Sequence, residues 1–207
     1  MEEKKDILAN LSVSVERVTD WDLVKEYAMA TMGKEFAKSP TSEWKSKILR
    51  CEHSPIRALE FKITLKGLPS WISVHLVRHK ISIEHFVQSQ RDDRNEERVV
   101  SRNDLPQSAL VMHKMFVSAA EILFISRRRL CHMASKETRQ VWQAVIEELR
   151  KIEPELASAC VPECVYRGGW CPEFRPCGAH KTDAYKDWVE SYHNLEVKHF
   201  KTTDNRE

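Results

Sequence analysis

An α+β fold of one domain is predicted by three observations. Residues 59–65 alternate apolar and polar, as a half-buried strand does. Several other segments repeat apolar residues at helical spacing, and no Gly-rich phosphate loop follows any strand. At 207 residues and 24.2 kDa the chain is long enough for one substantial core. We read residues 1–156 as that domain and 157–207 as a Cys-rich tail with a final helix packed on it.

Taken in order, residues 7–18 alternate as a first strand, and Thr19 and Asp20 offer an N-cap for a helix from Trp21 to Met32 that stops at Gly33. Thr41 or Ser42 caps a second helix through Leu49. The turn CEHSPIR then leads into the strand Leu59–Leu65, where Leu59, Phe61, Ile63 and Leu65 share a face. Gly67 and Pro69 break the chain, and Ser70 is placed to cap a short helix that places His75 and Arg78 on one side. Residues 92–106 are charged enough to read as a solvated loop. From Gln107 to Cys131, Leu110, Met112, Met115, Phe116, Ala119, Ile122, Leu123 and Ile125 recur at helical spacing, which predicts one long buried helix. Lys136–Leu149 and Asp183–Val197 read as two further amphipathic helices.

The stretch 78–91, RHKISIEHFVQSQR, carries the chemistry. Arg78 and Arg91 offer rigid forks of donors suited to a phosphate or carboxylate. Gln88, Ser89 and Gln90 supply neutral donors and acceptors suited to a heterocycle edge, and a strand here places Ser89 and Arg91 on one face. A lone basic triplet is ordinarily a solvated loop. This one has base-reading groups beside it.

The stretch resembles the signature of the flavin-dependent thymidylate synthases, in which Arg-His-Arg is followed after a gap by Ser-x-Arg. Lys80 stands at the second arginine, and the gap to Ser89 is one residue longer. The turn at Ser54 resembles the family's flavin turn, Arg102 with Leu105 and Pro106 resembles its Arg-x-x-Leu-Pro element, and Arg129 falls on its pyrimidine-contacting arginine. The resemblance runs from about 53 to 156. Ser118 and Ala120 stand where the family has its flavin-contacting Asn and Arg.

That resemblance implies a mixed or antiparallel sheet packed by long helices. It implies reductive methylation of dUMP to dTMP, with methylenetetrahydrofolate supplying carbon, reduced FAD the hydride and NADPH the electrons. Arg129 is the expected catalytic residue. His75, Arg78, Gln88, Ser89, Gln90, Arg91, Arg102 and Arg129 are the expected substrate-binding residues, and Ser54, Arg78, His79 and Lys80 the expected flavin-binding ones. A homotetramer whose sites draw on several subunits is implied as well. Two alternatives remain: another C5 modification such as hydroxymethylation, with Cys131 as a candidate nucleophile, and a non-catalytic nucleotide-binding module.

Charge excludes a general nucleic-acid binder, since 33 Lys and Arg balance 31 Asp and Glu. No apolar run approaches the roughly 20 residues a membrane span needs, and the charged start MEEKKDILAN is unlike a signal peptide, so a cytoplasmic protein is expected. Six cysteines without a secretion signal are expected to be reduced. Cys160, Cys164, Cys171 and Cys177 contain no Cys-x-x-Cys pair, so no metal is assigned, and the thiols are read as packing beneath a lid of turns.

Overall fold

The computed structural model describes residues 8–36, 38–95 and 97–197. Four strands form one antiparallel sheet in the order β1-β2-β4-β3: β1 is Ser12–Arg17, β2 Glu60–Pro69, β3 Ile83–Val87 and β4 Leu110–Ser118. Phe61, Ile63 and Leu65 of β2, with Val111, Met115 and Val117 of β4, point to one face and are buried. The alternation read over 59–65 is therefore the core face of a central strand.

Helices cover that face. α1 (Trp21–Ala30) begins where Asp20 accepts from the Leu23 N–H at 3.0 Å, and α2 (Ser42–Arg50) where Thr41 accepts from Trp44. α3 (Ser70–Leu76) has no side-chain cap, because Ser70 donates instead to the Gln107 carbonyl at 2.7 Å. α4 is Ala119–Arg129 and α5 is Lys136–Ile152, whose Val141, Trp142, Val145, Ile146 and Leu149 are buried. Short α6 (Pro154–Ala159) and α7 (Glu163–Tyr166) lead to α8 (Asp183–His193).

Two ties fix the frame on which the site stands. Glu153, 1% exposed, accepts from Arg17 at 2.5 Å and from the Trp21 indole at 2.7 Å, which pins β1 and α1 to the end of α5. Gly67 sits in the irregular register between Leu65 and Leu68 at φ +69°, and a Cβ there would stand 2.2 Å from the Asn10 carbonyl oxygen, so only glycine fits.

Several expectations need correction. The first strand begins at Ser12, with Ile7 outside the described residues. The strand in the basic stretch ends at Val87, short of Ser89 and Arg91. α8 ends at His193 rather than Val197, with Leu195 at φ +60°. The largest correction lies at 107–131, where β4 and α4 replace the single long helix. Val111, His113, Met115 and Val117 are buried at period two, and pairing with β2 and β3 satisfies their backbone.

Candidate functional site

α3 and α4 end side by side, and four of the expected residues meet there. Arg129, in the last turn of α4, donates from Nε to His79 Nε2 at 3.0 Å and from Nη2 to the His75 carbonyl at 2.6 Å. Arg78 lies close enough to both His75 and Arg129 to repel their positive charge. Burial, then Arg78 and Arg128, pull the Arg129 pKa down from its ordinary value, yet a guanidinium stays protonated in proteins. Arg78 and Lys80 are exposed, His79 is buried, and Arg129 is half-buried.

The tautomers follow from the partners. Because His79 Nε2 accepts from Arg129, its ring proton is on Nδ1, which faces Glu121 Oε1 at 3.6 Å. Glu121 is 4% exposed, and Oε1 has no hydrogen-bond partner. Carboxylate, imidazole and guanidinium thus stand in line, with the guanidinium outermost. His75 is held at Nδ1 by Thr138 Oγ1 at 2.9 Å, and Ser135 donates on to Thr138 at 2.7 Å. Burial first, then Arg129 and Arg78, lower the His75 pKa.

A second chain of hydrogen bonds braces the His79 loop from below. Ser73 Oγ meets His113 Nδ1 at 3.0 Å, His113 Nε2 meets His85 Nδ1 at 2.9 Å, and His85 Nε2 donates to the His79 carbonyl at 2.8 Å. The last acceptor sets every earlier proton: His113 donates to His85, and Ser73 to His113. Burial, with His85 adding to it, pushes the His113 pKa down to about 4. Sequence reading missed this chain and Glu121. One signal was available, since Ser118-x-x-Glu121 has the spacing of a capping box, and Ser118 Oγ accepts from the Glu121 N–H at 3.3 Å.

The remaining expected residues form two other groups within the chain. Gln88 to Arg102 is a folded loop, not merely a solvated one. Asp92 accepts from the Arg102 N–H at 2.9 Å, from Arg98 and from Ser101, and Arg98 also reaches the Gln90 carbonyl at 2.8 Å. The backbone contact with Arg102, then that with Arg98, holds the Asp92 carboxyl below its usual range. Arg91 forks onto Asp93 at 2.9 and 2.6 Å, Ser89 Oγ accepts from the Arg91 N–H, and the Gln88 side-chain oxygen accepts from Met112, extending the β3–β4 ladder.

Ser54 stands in a third place. It opens a 3-10 turn, Ser54–Ala58, at the rim of an open groove of about 620 Å³ lined by Met29, Trp44, Lys47, His53 and Ser54 among others. Its wall is mostly apolar, of a size for a ring system, and its one ammonium, Lys47, is held by Glu43 at 2.6 Å. Ser118 and Ala120 contribute nothing there: Ser118 is 3% exposed and occupied in capping α4, and Ala120 has no polar group.

No family model matches the chain, and no curated protein matches it. Solved structures do. Thymidylate synthase X from Helicobacter pylori, with FAD and dUMP, is similar with TM-score 0.58 and 15% identity over 72% of this chain and 97% of that one. The fold is that of the flavin-dependent thymidylate synthases. A second structure of the Helicobacter pylori enzyme, complexed with FAD and dUMP, gives TM-score 0.58 and 16% identity over 72% and 99% of the two chains. The UMP/dUMP methylase PolB from Streptomyces cacaoi, bound with 5-Br dUMP, gives 0.55 and 15% over 72% and 94%. The antiparallel sheet packed by helices that the thymidylate synthase resemblance implied is thus the one observed. No helix among the described residues is long and apolar enough to cross a membrane.

Proposed function

We propose that this protein binds a pyrimidine deoxynucleotide of the dUMP class and methylates its C5. The observation that carries the proposal is the half-buried Arg129 guanidinium, backed by His79 and Glu121 and flanked by Arg78 and His75. Substitution at C5 requires electron density on the pyrimidine ring, which rises when N3 loses its proton. A fixed cation with spare donors stabilises that anion without rearranging during the reaction.

Each residue has its place in the proposal. Arg129 would act on the ring, Arg78 would serve both ring and flavin, and His75 would offer Nε2 to a ring oxygen. Arg91 and Arg102 take the phosphate, with Asp92 holding their loop in shape, and Gln88, Ser89 and Gln90 line the base. A phosphate at Arg91 has to share or displace Asp93, since that carboxylate holds the fork. Ser54 and Lys80 would hold the flavin, with His79 behind them. When bound, FAD supplies a hydride, with methylenetetrahydrofolate giving the carbon and NADPH the electrons. The three groups of residues are separate within one chain, which supports a homotetramer in which different copies complete each site.

A second reading is another C5 modification, such as hydroxymethylation, favoured by the absence of flavin-holding side chains at Ser118 and Ala120. A protein nucleophile at Cys131 does not support it: burial raises that thiol's pKa, and the residue lines a pocket to which Arg129 does not contribute.

Release of tritium from dUMP labelled at C5 tests both chemistries at once, because any substitution at C5 expels that atom. Tritium release with a product heavier by one methyl group establishes methylation, and release with a hydroxymethyl product selects the second reading. No release with full co-substrates would overturn both.

A further inference from the structure

The tail holds a site that the nucleotide chemistry does not use. Four thiols converge on one enclosed pocket: Cys131 just beyond α4, Cys164 in α7, and Cys171 and Cys177 in the connection to α8. The sequence grouped Cys160 with the last three. In the structure Cys160 is buried elsewhere, among Ser126, Arg50, Arg127 and Arg150, and Cys131 takes its place.

Size and chemistry select the occupant. The pocket leaves about 10 Å³ of open space, room for one water-sized sphere and not for an organic ligand. All four thiols are free of disulfides. Beside them His180 keeps Nδ1 buried without a hydrogen-bond partner, a condition uncommon in folded proteins. Cys131, Cys171 and Cys177 all lie near enough to Cys164 for their charges to act on it.

The tail has reason to need a staple. Its own core is a separate cluster of Val161, Val165, Tyr185, Trp188 and Tyr192. A unit that small rarely holds its shape by apolar burial alone, and a structural metal is one usual remedy.

We propose that Cys131, Cys164, Cys171 and Cys177 bind one thiophilic divalent cation of the zinc class, joining the tail to the end of α4. Among the described residues no group of three or more His, Cys, Asp or Glu side chains is placed to hold a metal ion as the thiols stand. Closure therefore accompanies binding. The connection turns on Gly168, Gly169 and Gly178 at φ +66°, +95° and +88°, with nothing within 4 Å of a Cβ at the last two. His180 Nδ1 then gains a thiolate as hydrogen-bond acceptor, the usual support of a metal's ligands.

The test is elemental analysis of the full chain purified from zinc-supplied cells, with cobalt(II) exchange to read sulfur coordination from the charge-transfer band. About one zinc per chain is expected, falling at least fivefold in Cys164→Ser and in Cys177→Ser but unchanged in Cys160→Ser. A chelator should expose four additional thiols to a colorimetric thiol reagent. Less than about 0.1 zinc per chain, equal loss in Cys160→Ser, or disulfides among the four would overturn the proposal. None of these readouts depends on enzyme activity.

Discussion

Arg129 Nε donates to His79 Nε2 across 3.0 Å, so a guanidinium at the end of α4 is aimed by an imidazole from the loop after α3. The same guanidinium holds the His75 carbonyl at 2.6 Å. Two anchors on one planar group leave the rest of its donors pointing in a fixed direction, which an ammonium on a flexible stem does not achieve.

Arg129→Ala should therefore lower kcat/KM for dUMP at least about 100-fold, roughly 3 kcal/mol of transition-state stabilisation. Arg129→Lys should recover little of it. The far-UV circular dichroism of both variants should match the parent, and near-parental turnover in Arg129→Ala would remove this residue from the chemistry.

Glu121 acts through His79, as a positioning residue. Glu121→Gln keeps the volume but removes the carboxylate that faces His79 Nδ1 at 3.6 Å. A fall in kcat of about tenfold with little change in KM is expected, since the ground-state contacts are retained. Proportional changes in both, or a collapsed melting transition, would point to a purely structural carboxylate.

Much of this frame was legible in the sequence, and the reasons for the exceptions are physical. Asp20 and Thr41 cap α1 and α2 as their side chains dictate, and α5 follows from its apolar stripe. The β4–α4 junction was hidden because Met112, Met115, Phe116 and Ala119 satisfy helical spacing while Val111, Met115 and Val117 satisfy period two. Only pairing with β2, some fifty residues earlier, decides between them. At the site, His75, Arg78, His79 and Arg129 were readable as residue types in a motif. Glu121 and the His85–His113 pair were not, since their roles come from partners distant in sequence.

His113 makes stability depend on pH. Its folded pKa, about 4, lies below the ordinary 6.5, so between those values the unfolded chain takes up a proton that the folded chain does not. The contribution is fully present above about pH 6.5 and is lost as pH falls toward 4, about 3 kcal/mol across the window. His85 and Ser73 are the groups that face the ring. Urea unfolding at about pH 7.5 and 5 should show the loss, and His113→Gln should flatten it; equal slopes in both proteins would assign the dependence elsewhere.

Asp92 organises the loop that carries both expected phosphate ligands. Asp92→Ala should raise the Kd for dUMP about tenfold while leaving that for deoxyuridine, which lacks the phosphate, within about twofold. Calorimetric titration checks this. Equal weakening of both ligands would place Asp92 with the base rather than the phosphate.

The central claim, a pyrimidine deoxynucleotide site coupled to a flavin site, is tested most directly by titrating the protein with FAD and then with dUMP while following the flavin absorbance bands. The account predicts that FAD binds and that its spectrum shifts on addition of dUMP, with the shift abolished in Arg129→Ala. A flavin that does not bind, or a bound flavin indifferent to saturating dUMP, would contradict it.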